Sequence, residues 1–160
     1  MIRFREPNRF ALIKAYLLRA RRAGLLPRSF PEVKPMLDTD CKHPAYRLGR
    51  LFSVLEKVQA DATNATTTIR DRYYGAASAT PVVVFPQLLR KAPHHLAKLD
   101  SSVFYEKLIQ EICDGLQPPR PFPSTLTLEE QGLFAVGYYH QRQSLFTKRE
   151  KKPESPSEGA

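Results

Sequence analysis

Apolar residues return along most of this chain at intervals of three and four, the period of a helix with one buried face. Phe10, Ile13, Leu17 and Ala20 set the first such stripe, between Pro7 and Gly24. Proline is tolerated at a helix start and glycine is favoured just past its end, so the spacing predicts a helix over residues 8–23. From Pro44 the stripe resumes with Leu48, Leu51, Phe52, Leu55 and Val58, which predicts a helix to Ala62 with Arg47, Arg50 and Lys57 off the apolar face. A third helix is expected over residues 67–77 through Ile69, Tyr73 and Ala76.

Thr80 followed by Pro81 reads as an N-cap and first turn, opening PVVVFPQLLRKAPHHLAKL. Its three valines also suit a strand, but Val84, Leu88 and Leu89 share a helical face, and Pro86 and Pro93 predict a kink or break. Phe104, Tyr105, Leu108, Ile109 and Ile112 form the next stripe, ending near Gly115. QPPRPFPST is proline-rich and reads as a loop. Thr127 with Glu130 three positions on is a capping box, starting a last helix to about Phe146.

Residues 25–43 carry three prolines and no period, so they are expected to form an irregular connection of the length that binding loops reach. The tail KREKKPESPSEGA is charged and rich in proline and serine, the composition of a disordered segment. No alternating strand pair, hairpin turn or internal repeat is visible. The expected fold is therefore all-α: a compact bundle of five to six helices over residues 1–148, with a disordered tail at 149–160.

Composition adds a direction to this picture. The 160 residues carry a net charge of +9 at 42% hydrophobic content, the balance of a folded basic protein drawn to phosphates or anionic lipid. The charge is uneven. Residues 1–24 hold seven basic residues against one acidic, and residues 63–100 hold five against two. No run reaches the roughly 18 apolar residues of a membrane span, and MIRFREPNRF lacks the apolar stretch of a signal peptide. A cytoplasmic location without a membrane partner is expected. Cys41 and Cys113 lie in unrelated contexts without CxxC spacing and read as free thiols.

For catalysis the best candidate is Arg90 with His95, whose R-x4-H spacing resembles that of HEPN-type ribonucleases, where an arginine and a histidine meet a scissile phosphate in a helical fold. Pro93 interrupts the geometry that would orient the pair, and Lys91 stands where that family usually has a small polar residue. Cys41 with His43, or His94 with His95, give no zinc-like spacing, so no metal and no cofactor are expected. No phosphate loop, nucleophile elbow or paired carboxylates suited to acid–base work are present.

Binding is the stronger reading. Arginine forks onto phosphate and stays ionised. Arg70 and Arg72, two apart on a helix, cannot share a face, so one is expected to reach a phosphate while the other pairs with Asp71 or a neighbouring helix. Tyr73 and Tyr74 divide likewise, one into the core and one available to stack on a base or to pack on a partner subunit. Arg19, Arg21 and Arg22 crowd a helix C-terminus, where cations also suit the helix dipole.

Three runs carry a resemblance: AYRLGRLFSVLEKVQADA, TTTIRDRYYGAASATPVVVFPQLLRKAPHHLAKL and LTLEEQGLFAVGYYHQRQSLFTK. They are similar to the C-terminal region of the large subunit of the type I-C CRISPR Cascade complex, over most of residues 8–149. That family also yields this region alone, from an internal start, as a separate small subunit, and a 160-residue chain beginning at Met1 resembles that product as well as an excised domain.

The resemblance implies a helical bundle that is not an enzyme, lines the crRNA-bearing filament and helps to hold the R-loop. It implies as partners the crRNA and target DNA, the Cascade backbone subunits, the large subunit and a second copy of itself. From charge clustering, Lys14, Arg19, Arg21, Arg22, Arg47, Arg50, Arg70 and Arg72 are expected to form a basic groove for the displaced strand. A ribonuclease using Arg90 and His95, or a purely structural spacer, are the alternatives.

Overall fold

The computed structural model describes residues 36–63, 67–116 and 121–146. The expected helix over residues 8–23, with Lys14, Arg19, Arg21 and Arg22, and the tail at 149–160 lie outside the described residues. Among the described residues five helices follow one another: α1 (Pro44–Ala62), α2 (Ile69–Ala79), α3 (Pro81–Leu96), α4 (Ser102–Asp114) and α5 (Leu128–Phe146). The fold is all-α, and the described residues contain no strand.

Local chemistry sets the ends. The His43 ring accepts the Ala45 amide at 3.2 Å and Pro44 fills the first turn, so α1 begins on an imidazole cap. At its other end the Thr63 amide and hydroxyl both reach the Gln59 carbonyl, at 3.0 and 2.8 Å. The expected capping box of α5 is present: the Thr127 amide donates to Glu130 Oε2 at 2.8 Å and the Glu130 amide to Thr127 Oγ1 at 3.3 Å. Thr80 differs from expectation. Its hydroxyl donates back to the Ala76 carbonyl at 3.1 Å and closes α2, leaving α3 to start on Pro81 without a side-chain cap.

Nor does α3 break at its prolines. It runs through Pro86 and Pro93, both of which lie on the exposed side, where a carbonyl deprived of its amide partner is solvated. The helix stops at Leu96, three residues short of the expected Leu99.

α1 is the axis of the fold and packs against all four other helices, most extensively α5. Leu48, Leu51, Phe52, Val54 and Val58 are fully enclosed, and Phe52 is ringed by Tyr74, Phe85, Phe134 and Tyr138 at centroid distances of 5.8 to 6.4 Å. Two glycines let the α1 and α5 backbones meet. A Cβ on Gly49 would stand 2.0 Å from the Phe134 carbonyl oxygen, and one on Gly137 would stand 2.1 Å from that of Tyr46.

The described part of the proline-rich loop is fixed to the bundle. Phe122 stacks on Phe85, with ring planes 5° apart and centroids at 5.4 Å. The Leu126 amide donates to the Ala79 carbonyl at 2.9 Å and the Val82 amide to that of Pro123 at 3.2 Å, so residues 121–127 strap the α2–α3 junction.

Candidate nucleic-acid interface

The first turns of α2 decide how its charges are shared. Thr68 caps the helix: its hydroxyl accepts the Asp71 amide at 3.3 Å, while Asp71 Oδ2 accepts both the Thr68 amide and its hydroxyl, each at 2.9 Å. Those hydrogen bonds lower the Asp71 pKa, with Arg70 a smaller contributor. Asp71 thus serves the helix end, and the two arginines on either side of it go separate ways.

Arg70 turns inward. Its Nη2 donates to the Tyr139 hydroxyl at 3.2 Å, and its guanidinium carbon sits 5.8 and 5.9 Å from the ring centroids of Tyr138 and Tyr139, within cation–π range. Arg72 is exposed. The two tyrosines are both half-buried against the core but meet different neighbours. Tyr74 packs edge-on against Phe134 and Tyr138 at 5.6 and 5.2 Å, and burial pushes its hydroxyl pKa up to about 12. Tyr73 lines a cleft with Arg72.

That cleft, of about 270 Å³, is walled by three helices. Leu55 and Val58 of α1, Ile69 of α2, and Leu88 and Ala92 of α3 form an apolar floor; Tyr73, Arg72, Lys91 and His95 bring aromatic and cationic chemistry. Arg72 and Lys91 are exposed, whereas His95 is half-buried with Nδ1 lacking a hydrogen-bond partner among the described residues. Burial, reinforced by His94, Lys98 and Lys91, lowers the His95 pKa. Arg90 stands on the exposed side of α3 and does not line this cleft. Five residues along a helix turn through about 140° from the starting direction, so the R-x4-H spacing does not bring its two side chains together.

Arg50 departs from its expected place in the groove. It is only 2% exposed; its Nε donates to Gln141 Oε1 at 3.0 Å and its Nη2 pairs with Glu111 Oε1 at 3.3 Å. The apolar stripe had placed it toward solvent, but α1 packs against four other helices, and at Arg50 a position off the stripe is enclosed as well. Arg50 therefore ties α1 to α4 and α5 and has no route to a phosphate. Arg47 is half-buried: its Nε donates to the Cys41 carbonyl at 2.8 Å, and its guanidinium lies where a Cβ on Gly115 would fall. It shares neither its partners nor its surroundings with the cleft.

Sequence reasoning passed over Arg142, whose Nη1 reaches both Glu56 oxygens and the Tyr138 hydroxyl at 2.9 Å. Tyr138 itself donates to Glu56, and burial with that hydrogen bond raises its pKa. The missed signal for the cleft was Lys91 and His95, four apart on one helical face and within the second basic segment. Among the described residues, no cluster of histidine, cysteine or carboxylate side chains has the arrangement of a metal site, and no helix is long and apolar enough to cross a membrane.

The fold and its polar surface define a class: a small helical bundle in which some cations brace the interior and others rim an aromatic cleft. Residues 2–146 match the family model of the CRISPR-associated protein Cas_Csd1, and the chain belongs to that family, a component of Cascade-type CRISPR assemblies. No curated protein matches the chain.

Proposed function

We propose that this chain is the non-catalytic small subunit of a type I-C CRISPR Cascade, lining the crRNA filament and stabilising the R-loop by holding the backbone of the displaced DNA strand. One observation carries the binding role: exposed Arg72 and Lys91 share a single cleft with Tyr73, in a chain of a CRISPR-associated family. Guide–target pairing replaces a DNA duplex of similar stability, so modest backbone contacts tip the balance. Phosphate contacts of this kind need no base reading. Lys14, Arg19, Arg21 and Arg22, outside the described residues, contribute further cations in this reading; Arg70 supports the cleft from within, and Arg47 borders a separate face.

The backbone subunits, the large subunit and a second copy of the chain are its partners in this reading, in the cytoplasm. The test is binding of target DNA by the assembled complex as salt is raised. Arg72→Glu with Lys91→Glu should weaken binding and flatten the log–log salt slope by about 0.7 per lost single-strand contact, hence about 1.4 for the pair. An unchanged slope with intact assembly overturns the assignment. Incubation of the purified chain with labelled RNA checks the absence of catalysis; cleavage abolished by His95→Ala would replace this reading with a ribonuclease.

A further inference from the structure

The cleft between α1, α2 and α3 holds more apolar surface than a phosphate track needs. Backbone recognition asks for cations on an open face, yet here Arg72 and Lys91 stand at the mouth of a recess floored by Leu55, Val58 and Leu88. Its volume of about 270 Å³ lies just below the roughly 300–1,000 Å³ of pockets that enclose drug-sized ligands. It therefore suits one ring system and not a run of nucleotides. Tyr73 lines the recess with an aromatic ring. His95 lines the same recess, and its Nδ1 is shielded from solvent and unpartnered among the described residues. A neutral imidazole has one donor and one acceptor nitrogen; with Nδ1 enclosed by the fold, the ring's other nitrogen is the one that a ligand in the recess would meet.

A planar, mostly apolar ring with polar edges, carried between two phosphates, matches each of these features. We infer that the cleft takes up one unstacked base of a single strand, stacked on Tyr73 with its edge toward His95, while the flanking phosphates lie on Arg72 and Lys91. This rests on the strand-holding role proposed above and adds a specific consequence: the chain prefers single strands to duplex because only an unpaired base can enter. Stacking on an aromatic ring tolerates every base, so the site confers strand type without sequence.

The full chain is titrated at low salt with a labelled oligothymidine and with an abasic strand of equal length and charge. The oligothymidine should bind about tenfold more tightly, in line with one stacked base. Tyr73→Ala should abolish that advantage without changing abasic binding, and Tyr73→Phe should retain it. Arg72→Glu with Lys91→Glu should weaken both strands by the same factor.

Equal affinity for the two strands, with normal salt dependence, overturns the base site and leaves the backbone-holding role standing. Binding of neither strand overturns both. A readout without any variant is photocrosslinking of a 5-iodouracil strand: adducts on the peptide containing Tyr73 support the site, and adducts confined to other peptides overturn it.

Discussion

The α1–α5 seam and the α1–α2–α3 cleft use the same residue types to opposite ends. At the seam Arg50 and Arg142 are matched by Gln141, Glu111 and Glu56, and glycines bring two backbones into contact. At the cleft Arg72 and Lys91 are exposed beside a recess lined by three helices. A cation with internal partners contributes to the fold, and one at the rim is available to a ligand. Net charge alone does not separate them, which is why a total of +9 indicates a class of partner and not a place for it.

The sharpest break in this contrast is steric. Gly137→Val should destabilise the chain by about 3 kcal/mol or more, because the new Cβ meets the Tyr46 carbonyl, a backbone atom that cannot swing aside. An unshifted urea midpoint would remove the seam from its central place. Next is Arg50→Met, which leaves the buried Gln141 without its donor and should cost about 1–3 kcal/mol. The salt slope of strand binding should stay at the wild-type value; a flattened slope would return Arg50 to the interface.

Acid should weaken the seam through His140. His140 is buried, and its Nδ1 lies 2.9 Å from the Tyr46 hydroxyl, which also accepts the Asp38 amide. Burial lowers its pKa, partly opposed by Asp38. As pH falls through about 6.5 the unfolded chain takes up a proton before the folded one does. Stability is therefore full above that pH and declines below it, by up to about 1.4 kcal/mol per pH unit for each such histidine.

His95 shifts in the same direction and adds to the slope. Urea midpoints between about pH 7.5 and pH 5 measure this, above the range where carboxylates titrate. A loss of stability no smaller in His140→Gln would rule out the assignment. The smallest expected effect is on stability at the rim. Arg72→Glu should leave the urea midpoint within about 0.5 kcal/mol of wild type, since an exposed side chain away from the core contributes little to folding.

Much of the architecture was legible because it rests on local chemistry. The stripe from Leu48 to Val58, the Thr127–Glu130 box and the Ser101 to Gly115 segment each declared a helix within a few residues. What failed depended on neighbours. Arg50 was misplaced because one apolar stripe reveals one packing partner, and α1 has four. Pro86 and Pro93 promised a break that solvent exposure made unnecessary. The choice between Tyr73 and Tyr74 was open, since adjacent helical residues differ by only about 100° and a third helix decides which is covered. The cleft itself was invisible, for it joins residues from Leu55 to His95 that no local period connects.

The glycine contact also has a consequence in time. Where two helix backbones touch, water has no path to the amides between them, so the turns around Gly49 and Gly137 exchange hydrogen only when α1 and α5 part. Parting those helices dismantles the axis on which every other element rests, so these amides report global unfolding. The chain thus carries an internal clock: the slowest exchange marks its lifetime as a folded unit.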